Sequence, residues 1–419
     1  MKTIRKCPAC GNHTGEILYE NKMKMPAEVS LSESYHIVSC NACGNCYADT
    51  SALPADYDAY YCGHNYYGAG WTCNASSVHD YAVISRMLDD AVSKDGFIMD
   101  IGCGNGGLLK YLKEQGFTNL MGIDPSADSV NSLQEYGIRA AIGSVYHQTD
   151  ADIPKARAVI LTMVLEHLLE PDKALENIKK QYLDKEGFVL ASWPYFDDLI
   201  ADDSPVINNF NHEHINYFSL VSAQRLFSRC GYSCRDRHIS LGFCRNDFLM
   251  FSNIALFQSV SENSCKKEPL PKDERTKDSI LKYIARQKEK EEAIAARIHE
   301  LAKSRKECIV WGSGSYFMHL CSVTELEQCN ITCIIDNNRL KQGRSISGFP
   351  VKSPEAVKSF RGGGNSDSRY AIWKRNFAAG QEYGKHLLRN YSVINSCIRN
   401  RQPRNEMRLS YPWTISISD

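Results

Sequence analysis

A short apolar segment that leads into a glycine-rich loop and an amphipathic stretch limits the folds open to this chain more than any other feature. Residues 97–100 read FIMD, and IGCGNGGLLKYLKEQG follows, with Gly102, Gly104 and Gly106 in alternate positions. These glycines allow the backbone to pass close to a ligand at the N-terminus of the following helix. A second apolar segment, LMGID, ends in Asp124, which is placed to accept hydrogen bonds from ribose hydroxyls. The pattern predicts an α/β fold that binds a nucleotide-containing cofactor.

The loop alone is compatible with NAD, FAD or S-adenosylmethionine, so the surrounding segments decide between them. Asp100 stands at the end of the first apolar segment, and segments that fit a fourth and a fifth strand follow at 158–175 and 187–194. The apolar segment 248–258 fits a last strand. Together they resemble the Rossmann-like S-adenosylmethionine-dependent methyltransferases, in which the last strand enters antiparallel. A nicotinamide-binding domain is the alternative, but no recognisable substrate domain follows the glycines.

The methyltransferase resemblance implies how the loop would hold the cofactor. Gly102, Gly104 and Gly106 would line its methionine and ribose portions. Asp100 would lie near its amino group, and Asp124 would hold the ribose.

The same resemblance assigns the rest of the cofactor to residues after later strands. Residues around Ser144 and Val145 would flank the adenine. Leu165, Glu166 and His167 would follow the fourth strand beside the methyl-bearing sulfonium. Because a Glu-His pair also begins a helix in many such enzymes, we give this pair no catalytic role on sequence grounds.

Two Cys-x-x-Cys-Gly segments, CPACG and CNACG, predict a metal site near the start of the chain. Their spacing suits a tetrahedral Zn²⁺ held by four thiolates, which leaves no open position and makes the zinc structural. Redox dithiols or buried cysteines are the alternative, and Cys46 or Cys62 could replace one ligand. The predicted ligands are Cys7, Cys10, Cys40 and Cys43.

Composition describes a folded protein of two or three domains. The chain has 419 residues, 43% of them hydrophobic, and Lys+Arg and Asp+Glu both number 49. A zero net charge argues against nucleic acid as the main ligand. Without an apolar signal or spanning segment, the 17 cysteines read as reduced thiols in a cytoplasmic protein with no membrane partner. The sequence leaves monomer or dimer open.

A histidine-rich segment lies between the fifth strand and the last one. Residues 210–219 read FNHEHINYFS, and the helical pattern after Phe218 makes Ser219 a candidate N-cap. The His-Glu-His group therefore lies in a loop at the ligand crevice of the sheet. A carbon acceptor beside a carbonyl must lose a proton, and histidine suits this task because its pKa is near neutral. The alternative is that these residues only cap and pack the helix.

The cysteine knuckles, the methyltransferase segments with H-E-H-x-x-Y-F and a second nucleotide-type pattern together resemble the sugar C-methyltransferases, up to about residue 355. That family methylates nucleotide-linked keto-deoxysugars at the carbon beside the ketone. The resemblance implies that His214 is the base and that Glu213 assists it. Further candidates are His212, Tyr66 and Tyr67 for the sugar or the enolate, and Asn211 and Tyr217 for substrate binding.

Two features of this part keep alternatives open. Asn211 stands where that family often has a tyrosine, and an amide cannot give up a proton, so O-methylation of a sugar or another small molecule stays open. The tyrosine-rich segment 57–71 is either a lid over the substrate or a packing segment. A zinc-containing RNA methyltransferase and a non-catalytic nucleotide-sugar sensor are the remaining readings.

A second strand, glycine turn and helix follow at 308–321, with the sequence CIVWGSGSYFMHLC. Gly312, Gly314 and the helix after them are predicted to hold the diphosphate of a sugar nucleotide. The next apolar segment ends in Asp336, and Lys341 matches an element of nucleotide-sugar-binding domains. A duplicate that binds no ligand is the alternative.

The sequence therefore predicts an α/β protein with three functional parts, whose product would serve polysaccharide biosynthesis. We expect a Rossmann-like methyltransferase sheet, a small N-terminal zinc-binding module and a second, C-terminal Rossmann-like domain. The predicted boundaries are 1–75 for the zinc module and aromatic segment, 76–258 for the methyltransferase domain, 259–307 for a linker and long helix, and 308–419 for the C-terminal domain, whose tail from about residue 365 is divergent or poorly ordered.

Overall fold

A computed structural model describes most of the chain and arranges it around three β-sheets. The described residues are 1–25, 29–63, 75–146, 152–199, 202, 204–244, 248–261, 270–361 and 370–373. The α-helices are α1 (Pro54–Gly63), α2 (Ala75–Asp89), α3 (Gly107–Glu114), α4 (Ala127–Glu135), α5 (Pro171–Asn177), α6 (Val206–Asn209), α7 (Leu220–Arg229), α8 (Arg275–Ser304) and α9 (Ser315–Val323). Among the described helices, none is both long enough and apolar enough to cross a membrane.

The strands belong to an N-terminal, a central and a C-terminal sheet. They are β1 (Gly15–Lys22), β2 (Ser34–Cys40), β3 (Cys46–Asp49), β4 (Ile98–Ile101), β5 (Leu120–Asp124), β6 (Arg139–Ile142), β7 (Ala156–Thr162), β8 (Leu183–Pro194), β9 (Asn216–Tyr217), β10 (Tyr232–Cys244), β11 (Phe248–Ser259), β12 (Cys308–Trp311), β13 (Ile331–Ile335), β14 (Ser345–Ile346), β15 (Phe349–Lys352) and β16 (Tyr370–Trp373).

The central sheet has seven strands in the order β10-β11-β8-β7-β4-β5-β6. Strands β4 to β8 run parallel, and β11 is antiparallel to both β8 and β10. Every residue of β4 and β5 is buried, as expected for parallel strands covered on both faces. The strand order reverses between β4 and β7, which creates a crevice at their carboxyl ends. The predicted α/β fold and its antiparallel last strand are confirmed.

The N-terminal sheet is antiparallel, and its outer strand comes from a distant part of the sequence. Its order is β1-β2-β3-β9, so residues 216–217 of the histidine-rich region complete a sheet begun by residues 15–49. In the register, Cys46 pairs with Tyr217 and Tyr47 with Asn216. The small sheet is therefore built on the loop that carries the His-Glu-His group.

The C-terminal sheet has the order β14-β15-β13-β12-β16, and β12, α9 and β13 repeat the arrangement of β4, α3 and β5. Strand β16 runs parallel to β12, with Cys308 opposite Tyr370 and Trp311 opposite Trp373. The sequence predicts a divergent or poorly ordered tail from about residue 365, which stays a prediction; the four residues of β16 are the part of that tail that the structure describes. Residues 374–419 lie outside the described part of the chain.

The long helix α8 joins the N-terminal sheet, the segment after β8 and the C-terminal sheet through one shared apolar cluster. Its buried residues Ile280, Tyr283, Ile298 and Leu301 belong to a cluster that also includes residues of β2, of the segment around Phe210 and of β12. The Tyr283 hydroxyl donates hydrogen bonds to the backbone carbonyl oxygens of residues 204 and 205, at 2.7 and 3.0 Å. The predicted long helix is thus present as α8, and its apolar side is buried in the core.

One buried arginine connects the N-terminal module to segments beside the central sheet. The backbone N–H of Arg5 donates to Asp49 at 2.8 Å, and burial lowers the pKa of its guanidinium. The side chain donates to backbone carbonyls in three separate segments and to one side-chain amide. The acceptors are the carbonyl oxygens of Ala48 (3.3 Å), Ile215 (3.1 Å), Leu168 (3.2 Å) and Leu169 (2.8 Å), and Oδ1 of Asn216 (2.7 Å).

Replacement of Arg5 by methionine should destabilise the protein strongly. We expect the free energy of unfolding to fall by at least about 3 kcal/mol, because several buried oxygens lose their donor at once. Urea denaturation followed by tryptophan fluorescence measures the change. Arg235→Met is the matched control, since Arg235 makes an exposed hydrogen bond to Gln258 and should cost less than about 1 kcal/mol. Equal denaturation midpoints for the two variants would contradict the role given to Arg5.

Candidate active site

The glycine loop after β4 is closed around Asp124, the last residue of β5. The N–H of Gly104 donates to Oδ2 of Asp124 at 2.8 Å, and the N–H of Ser126 donates to Oδ1 at 2.9 Å. The space beside Gly104 is open, since a Cβ placed there would have no other described residue within 4 Å, apart from its neighbours in the chain. The loop therefore presents exposed backbone at the end of β4 and holds a carboxylate beside it, as a ribose ligand requires.

The other two glycines of this loop are required by close packing. A Cβ on Gly106 would lie 2.1 Å from Cδ2 of Leu133 in α4, and the φ of Gly106 is +75°. A Cβ on Gly102 would lie 2.7 Å from Cγ2 of Val164, which follows β7. The loop is thus pressed against the residues that follow the neighbouring strand.

Asp100 lies under this loop with part of its hydrogen-bonding capacity unused. Its side chain is buried, and among the described residues Oδ1 has no hydrogen-bond partner. Burial, and then the negative charge of Asp124, raise the pKa of Asp100 to about 8. A ligand with a cationic amino group would satisfy this carboxyl group, so Asp100 and the open space at Gly104 fit the methionine end of S-adenosylmethionine.

The residues predicted to flank the adenine follow β6 at the same edge of the sheet. Ser144 is half-buried, and its Oγ accepts a hydrogen bond from the N–H of Tyr146 at 3.2 Å. Val145 is buried, and its carbonyl accepts a hydrogen bond from Nδ2 of Asn177 at 2.7 Å. These contacts give the segment a fixed path at the crevice.

A short helical turn at Leu165–His167 carries a buried acid beside the crevice. Met163, just before it, has a φ of +52°, which marks a sharp change of direction after β7. Leu165 and Glu166 are fully buried, and neither carboxyl oxygen of Glu166 has a hydrogen-bond partner among the described residues. Burial raises the pKa of Glu166 to about 8. On sequence grounds we assigned Glu166 no catalytic role, but its burial next to two histidines makes it a candidate functional residue.

The His-Glu-His loop is tied to that turn by backbone hydrogen bonds. The N–H of Ile215 donates to the carbonyl of Glu166 at 2.8 Å, and Nδ1 of His167 lies 2.9 Å from the carbonyl of Glu213. Nδ2 of Asn216 donates to the carbonyls of Leu165 and Leu168, at 2.8 and 2.7 Å. The loop thus lies directly beside the crevice.

Within the loop, His214 and Glu213 point in different directions. The rings of His214 and His167 meet edge to face with centroids 5.1 Å apart. Burial, and next His167, lower the pKa of His214 to about 3, and its Nδ1 has no partner among the described residues. Oε1 of Glu213 accepts a hydrogen bond from the Tyr60 hydroxyl at 2.7 Å. Tyr60 was not predicted, although it belongs to the tyrosine-rich segment.

Three predicted site residues have structural contacts instead. Oδ1 of Asn211, predicted to bind substrate, accepts the N–H groups of Glu213 and His214 at 2.8 and 2.9 Å and so shapes the loop. His212 packs edge-on against Tyr35, and its Nε2 lies 2.5 Å from the carbonyl of residue 32, in the N-terminal module. Tyr217 is fully buried.

Tyr217 is fully buried because its ring packs among other aromatic rings. Its ring meets those of Phe196 and Phe210 edge to face, with centroids 5.2 and 4.9 Å apart. A residue enclosed in this way cannot contact a substrate, so Tyr217 is a core residue. Tyr66 and Tyr67 lie outside the described part of the chain.

The four predicted cysteine ligands form one cluster. Cys7 and Cys43 have their sulfurs 3.6 Å apart, as do Cys10 and Cys40, and all four sulfurs lie within 4.8 Å of one another. Zn–S bonds of about 2.3 Å place tetrahedral sulfurs about 3.8 Å apart, so the cluster fits a Zn²⁺ ion. Cys46, the alternative ligand, lies outside this group, with its sulfur 3.7 Å from the carbonyl of Gly44.

The glycine turn after β12 has the same hydrogen-bond arrangement as the glycine loop after β4. The N–H of Ser313 donates to Oδ2 of Asp336 at 3.0 Å, and Nζ of Lys341 donates to the carbonyl of Ser313 at 3.3 Å. Burial lowers the pKa of Lys341. Within the part of the chain that the structure describes, a Cβ placed on Gly312 or Gly314 would meet nothing closer than 4 Å besides its own chain neighbours. The five residues therefore lie together at one end of the C-terminal sheet.

Comparisons with known proteins give one family model and several similar solved structures. Residues 81–236 match a family model described as a methyltransferase domain. No curated protein sequence matches the chain. The chain is similar to the solved structure of the N-methyltransferase NodS from Bradyrhizobium japonicum in complex with S-adenosyl-L-homocysteine, at 14% identity and a TM-score of 0.37, covering 48% of this chain and 98% of that chain.

Two further solved structures are also similar. One is magnesium protoporphyrin IX methyltransferase from Synechocystis with bound SAM, at 14% identity and a TM-score of 0.36, covering 50% of this chain and 100% of that chain. The other is a SAM-dependent methyltransferase from Methanosarcina mazei, at 12% identity and a TM-score of 0.34, covering 42% of this chain and 98% of that chain.

The strand order of the central sheet, the glycine loop held on Asp124 and the matched family model give one conclusion. The chain is an enzyme with a methyltransferase domain at residues 81–236.

Proposed function

We propose that this enzyme transfers a methyl group from S-adenosylmethionine to a carbon of a nucleotide-linked keto-deoxysugar, beside the ketone. One observation carries the proposal. The packing of Gly102 against Val164 places the cofactor loop next to the turn at Leu165–His167, and His167 meets His214 ring to ring. An imidazole from the His-Glu-His loop therefore borders the place where the methyl group would be presented.

When bound, S-adenosylmethionine supplies an electrophilic methyl group on its sulfonium. What the chain must add is a nucleophile in line with it. His214 is uncharged at neutral pH because burial lowers its pKa, and the lone pair on Nδ1 is unpartnered among the described residues, so it is available to accept the proton beside the ketone. The Tyr60 hydroxyl donates its proton to Glu213, so it would become a donor to the enolate oxygen only by turning away from that carboxylate.

The C-terminal sheet supports a nucleotide-linked acceptor. Its turn at Gly312 and Gly314 is open to a ligand, and Lys341 brings a positive charge beside it. An open glycine turn at a helix N-terminus with a nearby lysine is the arrangement that binds phosphate groups. We infer that this end of the sheet holds the diphosphate.

O-methylation of a sugar is the second candidate, and one observation favours it. The pKa of about 3 for His214 makes it a weak proton acceptor, and a hydroxyl acceptor needs less help than a carbon acid. The carbon and oxygen acceptors give different products, so the reaction itself distinguishes them.

The acceptor atom can be identified with a panel of nucleotide-linked keto-sugars and hydroxy-sugars. We expect a new carbon-bound methyl signal by NMR with keto-sugars, and His214→Gln should lower kcat at least about 100-fold because the proton acceptor is lost. The control His13→Gln changes an exposed histidine and should leave kcat unchanged. A methyl group on oxygen, or full activity of the His214 variant, would contradict the proposal.

Asp100 should make the stability of the cofactor-free enzyme depend on pH. Its folded-state pKa of about 8 lies above its unfolded value, so the free energy of unfolding falls as pH rises from about 4 to about 8. We expect Asp100→Asn to exceed the wild type in stability by an amount that grows by at least about 1.4 kcal/mol, the value of one pKa unit, between about pH 5 and about pH 8.

Thermal or urea denaturation at several pH values measures this difference. Asp95→Asn, at an exposed site before β4, is the control and should follow the wild type. Calorimetry should also show weaker binding of S-adenosylmethionine to Asp100→Asn, since the carboxylate that faces its amino group is gone. A pH-independent stability difference would reject the role of the buried carboxyl group.

We also propose that the cysteine cluster binds one structural Zn²⁺ ion and that the enzyme works in the cytoplasm, where thiolates stay reduced. Removal of zinc, or Cys40→Ser, should abolish methyl transfer while S-adenosylmethionine still binds. The reason is that the sheet next to the metal cluster includes β9 and so positions the His-Glu-His loop. Cys46→Ser should keep the zinc. Activity that survives complete loss of zinc would contradict this coupling.

A further inference from the structure

We propose that Glu166, His167 and His214 form a binding site for a divalent transition-metal cation, separate from the four-cysteine cluster. The inference goes beyond the proposed reaction, because the site needs no particular methyl acceptor. The three side chains come from two loops that backbone hydrogen bonds hold together.

The first argument is distance. One ligand atom from each of the three side chains lies within 4.8 Å of the other two. Metal–nitrogen and metal–oxygen bonds of about 2.1 Å place tetrahedral ligand atoms about 3.4 Å apart, so no separation between the ligand atoms would have to shorten by more than about 1.4 Å.

The second argument is the energetic cost of burying the carboxyl group of Glu166. Glu166 is 0% exposed, and neither of its oxygens has a hydrogen-bond partner among the described residues. Burying a carboxyl group without a partner is costly, and a coordinated cation is one of the few ways to offset the cost. Oε1 already lies 3.9 Å from Nε2 of His167.

The third argument is the orientation of the two imidazoles. Nδ1 of His167 lies 2.9 Å from the carbonyl oxygen of Glu213, which can only accept, so Nδ1 carries the proton and Nε2 faces Glu166 with a lone pair. The ring of His214 makes a hydrogen bond with the backbone of Asn209. Its Nδ1 has no hydrogen-bond partner among the described residues, so this nitrogen is the one that keeps a lone pair. Metal-binding histidines are held in this way, with the second nitrogen on a backbone carbonyl.

The set of ligands indicates the kind of ion. Two imidazoles and one carboxylate with open positions suit Mn²⁺, Fe²⁺, Co²⁺, Ni²⁺ or Zn²⁺, whereas Mg²⁺ prefers oxygen ligands. The open positions would face the crevice next to Val164, where an acceptor oxygen can approach. A cation and a proton compete for the same lone pair of His214, so the occupancy of the site decides whether His214 acts as a ligand or as a base.

The experiment counts ions on the full-length protein without any substrate. The protein is stripped with a chelator, reloaded with Co²⁺, freed of excess metal and analysed by elemental analysis and visible absorption. We expect two ions per chain in the wild type and one in Glu166→Gln and in His214→Gln, each of which should keep the thiolate-to-cobalt absorption. Cys40→Ser should lose that absorption, which assigns it to the ion of the four-cysteine cluster.

Glu170→Gln is the matched control, because Glu170 is a neighbouring acid that pairs with Lys173 at the surface, and it should retain two ions. Circular dichroism checks that Glu166→Gln is folded, as expected for a neutral residue of the same shape at a buried position. A wild type that holds only the thiolate-bound ion, or an unchanged count in Glu166→Gln, overturns the metal site. The methylation assay with sugars tests the proposed reaction separately, so the two failures are distinguishable.

Discussion

The hydrogen bonds of the buried Arg5 guanidinium are the interaction on which the arrangement of the active site depends. They reach the end of β3, the segment after the turn at Leu165–His167 and the strand β9. Because the acceptors are carbonyl oxygens and an amide, the side chain satisfies polar backbone that would otherwise be buried without partners. The N-terminal module therefore helps to fix the position of the loop that carries His214.

The same kind of glycine turn, held by an acid at the end of the next strand, occurs in two sheets of this chain. In the central sheet, a glycine turn is fixed by Asp124, and in the C-terminal sheet a glycine turn is fixed by Asp336. In each case an acid at the end of the second strand accepts a hydrogen bond from the N–H of the turn, which pins the loop and leaves its outer face open. The two sheets therefore present the same kind of backbone surface at the ends of β4 and β12.

The sequence predicts the parts that depend on local pattern. The glycine loop, the strands of the central sheet, the N-cap at Ser219 and the four clustered cysteines follow from spacing and residue type. The pairing of β9 with β3 could not be predicted, because two residues carry no periodicity and the partner is far away in the chain. The same reason explains the Tyr60–Glu213 contact, and the use of Asn211 within its own loop depends on a turn geometry that composition does not specify.

The distance in sequence between Arg5 and Ile215 has a consequence for biosynthesis. These residues are bonded although they are separated by 210 positions, so the N-terminal sheet lacks its fourth strand until the ribosome has made residue 217. Until then the edge of β3 is unpaired and able to associate with other chains. Cys7, Cys10, Cys40 and Cys43 all precede β9 in the chain, so the four-cysteine cluster can assemble while this edge is still open.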